Sequence, residues 1–183
     1  MSHALRAACD AVLVGAGTAV RDDPELTVRL VSGASPTRVV LDSTLRLPPS
    51  AKLFGSEAAT LVMTTERSDA ARRQELRERG VQVAVVPEDG GKVDLAAALT
   101  RLRELGMETV LVEGGAQVIT GLLARRLVDR LIVAVAPVVL GSGTEAVDRL
   151  DVARVSDGIQ LVNRLVVPVG DDVLLAWDVR PSL

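Results

Sequence analysis

Short apolar runs alternating with helix-spaced segments set the pattern of this chain. Ala11–Val14, Thr37–Leu41, Thr60–Thr64, Val81–Val86 and Thr109–Val112 are brief and rich in β-branched residues, so each reads as a strand. The run ending at Val112 has the continuous apolar character of a strand buried on both faces. Ser2–Ala8 reads as the last turns of a helix. Ser68 is the expected N-cap of a charged helix ending at Arg79, with Gly80 as its stop, and Asp94 caps a helix through Leu105 closed by Gly106. Ala116–Leu127 repeats apolar residues at helical spacing: Val118, Ile119, Leu122, Leu123 and Leu127. Gly15-Ala16-Gly17-Thr18 is expected to break the first strand and Arg21-Asp22-Asp23-Pro24 to turn the chain, with Leu26–Val31 returning to an extended run. Leu45–Phe54 reads as an ordered loop and Glu88–Lys92 as a surface turn. Arg130–Ala136 is a further strand, followed by a loop over Pro137–Gly143. Gln160–Val169 and Val173–Val179, separated by Gly170-Asp171-Asp172, read as an antiparallel hairpin. The whole predicts one three-layer α/β/α domain over residues 1–183, with a mixed, mostly parallel sheet and an antiparallel C-terminal hairpin.

Composition narrows the function. A chain of 183 residues suits a single core. Its apolar content comes from Val, Leu and Ala, with one Phe, one Trp and no Tyr, which argues against base stacking on single-stranded nucleic acid. A net charge of −3 gives no footprint for a polyanion. No run of 18 apolar residues marks a membrane span, and Met1–Asp10 lacks the apolar core of a signal peptide. Cys9 stands alone, so a reducing, cytoplasmic setting is expected. With one cysteine and one histidine, no Cys/His metal site is expected, and His3 is too near the terminus to anchor a triad by default. Chemistry must then rest on carboxylates, arginines, hydroxyls and a borrowed cofactor.

The stretch best suited to that work is Val110–Gly121. A strand ends at Glu113, Gly114 and Gly115 follow, and a helix begins, an arrangement that presents free N–H groups to a phosphate. Glu113 sits at the carboxyl end of a strand, where open α/β sheets bind ligands. The spacing alone equally describes an ordinary βα turn with a solvated acid. Gly15-Ala16-Gly17 does not complete a dinucleotide fingerprint, because Val20 stands where the third glycine belongs.

Several motifs in order decide between these readings. Asp10-Ala11-Val12-Leu13-Val14-Gly15-Ala16-Gly17-Thr18, then Asp22-Asp23-Pro24-Glu25-Leu26-Thr27-Val28-Arg29, resembles the reductase domain of bacterial riboflavin biosynthesis. So do Arg38-Val39-Val40-Leu41-Asp42-Ser43, Val112-Glu113-Gly114-Gly115, and Leu127-Val128-Asp129 leading to Ala136–Gly141. The resemblance runs from about Arg6 to Trp177 and implies a dihydrofolate-reductase-like fold. It also implies NADPH-dependent reduction of 5-amino-6-(5-phosphoribosylamino)uracil, by a cytoplasmic homodimer. Carried over by residue, Arg6, Leu26, Arg29 and Glu113 are expected substrate contacts. The two arginines would meet the phosphate, Leu26 the flat pyrimidine, and Glu113 its N–H groups. Thr18, Asp22, Ser43 and the turn Gly115, Ala116, Gln117, Val118, Ile119, Thr120 and Gly121 are expected to form the NADPH site, with Thr64, Thr65 and Arg46 receiving the 2′-phosphate. No histidine is placed to donate a proton to the substrate, and no metal is implied.

Family members begin with an apolar strand and a Ser-Leu-Asp-Gly-type segment, and this chain starts after both, so that strand is expected to be missing. The zinc deaminase signature carried by many relatives is absent too, and no deaminase activity is expected. Two other readings stay open on the sequence. One is a dihydrofolate-reductase-like oxidoreductase on another pterin- or uracil-like compound. The other is a non-catalytic member, either a nucleotide-binding paralogue or a structural subunit with an apolar dimer face at Leu131–Leu140 or the hairpin.

Overall fold

All five of the early apolar runs become strands, and all run parallel. In the computed structural model, which describes residues 1–180, β1 (Ala11–Gly15), β2 (Thr37–Leu41), β3 (Thr60–Thr64), β4 (Gln82–Val85) and β5 (Val110–Val112) form one sheet. Their order is β4-β3-β2-β1-β5. β1 lies between β2 and β5, and every one of its residues is buried. The register sets Val14 beside Val40 and Val40 beside Val62, so these side chains share a face.

On that face Val12, Val14 and Val40 pack with Ala16 and Ala19 of α2 (Ala16–Asp22), and Val62 packs with Leu76 of α3 (Ala70–Glu78). Each fully buried Val or Leu stabilises by about 1.5–3 kcal/mol. The return from β4 to β5 runs back across the sheet, and a right-handed crossover puts α4 (Leu95–Glu104) on the opposite face. α4 buries Ala98 and Leu102.

Three local expectations are corrected, and one helix is added. Gly15–Thr18 ends the first strand as expected, but the backbone passes from β1 straight into α2, whose inward residues are alanines too small to register as an apolar stripe. That helix stops where Asp23 takes a left-handed conformation (φ 38°) before Pro24. Asp69, not Ser68, caps α3, accepting the Arg72 N–H at 2.8 Å, while buried Ser68 donates its hydroxyl to the Thr65 carbonyl. Leu26–Val31 is not a strand, since Leu26 turns to φ 53° and the next backbone groups bond to side chains. β5 is half-buried rather than buried on both faces, because it ends its sheet.

Contacts divide the chain into two compact units, the first being Met1–Gly115 and the second starting at Ala116. The second opens with α5 (Ala116–Ala124), which buries Leu122 and Leu123. Its β6 (Arg130–Val135), β7 (Leu161–Val169) and β8 (Asp172–Val179) form an antiparallel sheet in the order β6-β8-β7. The β7–β8 hairpin turns at Gly170 (φ 62°). Arg130 on β6 and Asn163 on β7 both bond Asp178 on β8, and these hydrogen bonds, Asn163 first, hold its carboxyl below the usual range.

Candidate active site

Strand order reverses at β1, whose neighbour β2 follows it directly while β5 arrives by the long return through α4. A crevice outside the carboxyl ends of strands at such a point is where α/β sheets take ligands. Four chain segments of the first unit leave the sheet at this edge: Gly15–Thr18 after β1, Asp42-Ser43 after β2, Thr64-Thr65 around the end of β3, and Glu113–Gly115 after β5.

Glu113 is not a solvated acid. Both its oxygens are taken by the Arg6 guanidinium, Nε to Oε1 at 2.8 Å and NH2 to Oε2 at 2.6 Å, and Arg6 NH1 donates to the Thr27 carbonyl at 2.9 Å. The two side chains are only 12% and 20% exposed. A planar fork on a carboxylate is the strongest ordinary geometry for such a pair. α1 (Ser2–Ala7) positions Arg6, and the Glu113 N–H donates to the Leu13 carbonyl of β1, pinning the acid beside that buried strand.

Behind Glu113, Gly114 (φ 98°) and Gly115 (φ 86°) turn the chain through conformations that L side chains rarely adopt. A Cβ on Gly114 would lie 3.6 Å from Thr18 Cγ2, so the turn sits against the α2 threonine. Thr18 Oγ1 is buried there without a hydrogen-bond partner among the described residues. Asp42 Oδ1 and Thr64 Oγ1 share that condition at the ends of the next two strands, in residues 1% and 0% exposed. Leu41 pairs with Met63, which makes Asp42 and Thr64 register neighbours. Asp42 Oδ2 accepts the Leu47 N–H at 3.0 Å, and the Arg46 Nε stands 3.8 Å from Oδ1. Buried polar atoms are nearly always paired. Two hydroxyls and a carboxylate oxygen left open on three adjacent strand ends suit the hydroxyls and phosphates of a nucleotide cofactor, the carboxylate accepting only from hydroxyl or amide.

The remaining expected residues are distributed unevenly. Ser43 ties the edge together, its Oγ accepting the Val93 N–H at 3.0 Å and its carbonyl the Thr65 hydroxyl at 2.9 Å. Arg29 is half-exposed and pairs with Glu25. Asp22 lies exposed at the end of α2 and pairs with Arg21. Leu26 is 3% exposed, within the core of Val12, Val40 and Leu53. Ala116–Gly121 forms the opening turns of α5, directly after the glycines, where the Thr120 hydroxyl accepts the Asp148 N–H at 2.7 Å. Cys9 is a poor nucleophile: burial, with the Asp10 and Glu113 charges, pushes its thiol up. Sequence reasoning did not single out Asp42, Thr27 or His3 for the site. Asp42 stood in a quoted motif, but nothing in a linear pattern shows an unpaired oxygen.

A family model described as the RibD C-terminal domain matches residues 1–175. The chain belongs to that family. It is 36% identical to a 2,5-diamino-6-ribosylamino-4(3H)-pyrimidinone 5′-phosphate reductase of Methanothermobacter thermautotrophicus, over 97% of this chain and 83% of the relative. It is 34% identical to the riboflavin biosynthesis protein RibD of Aquifex aeolicus, over 96% of this chain and 48% of that one. The Acinetobacter baumannii RibD structure superposes with a TM-score of 0.81 at 28% identity, covering 97% of this chain and 49% of its own. The chain therefore spans about half the length of the RibD proteins it matches. Its fold is the dihydrofolate-reductase-like one of RibD reductase domains.

Proposed function

We propose that this chain is an NADPH-dependent reductase of riboflavin biosynthesis, acting on a phosphoribosylaminopyrimidine and reducing its ribosyl group to a ribityl chain. The observation that carries the reading is the clasped Arg6–Glu113 pair beside the Gly114-Gly115 turn, at the sheet edge that leaves three polar atoms open. NADPH, when bound, supplies hydride. Everything else falls to the protein. Glu113, aimed by Arg6, retains lone pairs for the N–H groups of the pyrimidine. Arg29 exchanges Glu25 for the substrate phosphate. Thr18, Asp42 and Ser43, with Gly115, hold the cofactor, and Thr64, Thr65 and Arg46 receive its 2′-phosphate. The site needs pose more than proton traffic, because bringing the reacting atoms within about 3–3.5 Å supplies much of the rate.

The exposed apolar residues Val139, Leu140, Leu165 and Val166 support a homodimer, and the free Cys9 supports a reducing, cytoplasmic setting. Among the described residues no helix is long and apolar enough to cross a membrane.

The test is NADPH oxidation by the purified chain with 5-amino-6-(5-phosphoribosylamino)uracil and, separately, with the 2,5-diaminopyrimidinone form. The second substrate is included because the Methanothermobacter thermautotrophicus relative carrying that name aligns with 97% of the chain. Oxidation that requires either substrate supports the reading and identifies the preferred ring. No NADPH binding would sink it.

A further inference from the structure

The segment that carries Arg29 has no strand partner, yet its backbone is held at three successive residues by side chains. Arg6 NH1 donates to the Thr27 carbonyl at 2.9 Å, the Val28 N–H donates to Ser35 Oγ at 3.0 Å, and the Arg29 N–H donates to His3 Nδ1 at 3.0 Å. His3 is the chain's one histidine and is 8% exposed. Accepting that amide engages the lone pair of Nδ1. A buried acceptor meeting the amide of the residue whose side chain reaches for an anion fixes where that side chain starts. His3 and Arg6 lie one turn apart on α1, so the same short helix aims Glu113 through Arg6 and anchors Arg29 through His3.

We infer that His3 is a positioning residue for the substrate phosphate, acting through the backbone of Arg29. The inference rests on the reading above, in which Arg29 binds that phosphate. It assigns His3 no proton transfer: the ring holds a loop.

The test compares KM for the phosphorylated substrate and for its dephosphorylated counterpart across His3→Leu, His3→Asn, Arg29→Ala and His3→Leu/Arg29→Ala. Leucine and asparagine are close in shape, but only asparagine offers an oxygen near the place of Nδ1. Losing one backbone hydrogen bond predicts that His3→Leu raises KM for the phosphorylated substrate by about fivefold. The dephosphorylated substrate moves little, kcat moves less than KM, asparagine restores the wild-type value, and His3→Leu adds nothing once Arg29 is alanine. If Arg29→Ala leaves KM for the phosphorylated substrate unchanged, the phosphate assignment fails and takes this inference with it. If Arg29→Ala raises KM while His3→Leu does not, or raises it equally for both substrates, the inference alone is overturned. Additive effects of the two changes overturn it as well. Should leucine prevent folding, His3→Asn against His3→Gln decides, because glutamine sets its amide one bond further out. Equal KM for those two variants contradicts the role.

Discussion

Removing either half of the Arg6–Glu113 pair should cost the same, because the two side chains form one unit. In Glu113→Gln the amide offers one acceptor oxygen, and its NH2 faces an arginine N–H, so one of two charge-assisted bonds is lost and a repulsive contact appears. In Arg6→Met the carboxylate loses both bonds and the Thr27 carbonyl loses its donor. Breaking a fully buried ion pair costs about 3–5 kcal/mol. With 12% and 20% of these side chains still reaching water, we take about 2 kcal/mol for each single variant. For a chain of this length that lowers Tm by about 4–8 °C. Urea and thermal unfolding of Arg6→Met, Glu113→Gln and the double variant form a cycle. Coupling predicts that the double variant is no less stable than either single one. Independent sites add to within about 0.3–0.5 kcal/mol. If these do, Arg6 is not what holds Glu113, and the account of Glu113 as an aimed carboxylate for the pyrimidine collapses. The same variants should each raise KM for the pyrimidine substrate, since an unaimed carboxylate and a missing one look alike to the ring.

Three further outcomes test the frame around the site. Gly114→Ala forces a side chain to φ 98° beside Thr18, at about 1–3 kcal/mol of strain, and should weaken NADPH binding measured by fluorescence titration more than it lowers Tm. Unchanged NADPH affinity would remove the turn from the cofactor site. Arg38, fully buried in β2, donates to the carbonyls of Lys52, Gly55 and Ala58, so Arg38→Met should lose about 3 kcal/mol or more in urea unfolding. A wild-type midpoint would show that the loop finds other donors. Asp10 accepts from the Thr109 hydroxyl, the Thr109 N–H and the Glu108 N–H, which hold its carboxyl below the ordinary 3.8. A depressed folded value means stability present above the unfolded pKa and lost as pH falls through the folded one. Asp10→Asn should therefore flatten the acid limb of the unfolding midpoint between about pH 5 and the acid transition, and an unchanged limb would reassign it to other carboxylates.

The strands were legible because β-branched apolar runs mark interior strands whatever they pair with, and Asp94 with Gly106 (φ 80°) marked the ends of α4 by purely local bonding. Local rules failed where the deciding partner was distant or small. The alanines of α2 carry no hydrophobic stripe, so only the sheet above them reveals a helix. Leu26–Val31 looks extended until Arg6, Ser35 and His3 claim its backbone, and no periodicity encodes bonds from side chains elsewhere in the chain.

The site shows the same division at finer grain. Glu113 and Arg6 were each singled out as candidate ligand residues from the motifs around them, but they stand 107 residues apart, and a linear pattern records which faces are apolar rather than which charges meet. Their meeting changes the chemistry argued for each. Arg6 gives three of its five N–H donors to Glu113 and Thr27, which leaves two for any phosphate, whereas Arg29, among the described residues, holds one part-exposed acid that an anion can displace. Phosphate affinity should then track Arg29 first, and pyrimidine recognition should track Arg6 together with Glu113. That assignment reverses the equal weight the two arginines carry in the sequence, and it follows from counting donors already spent.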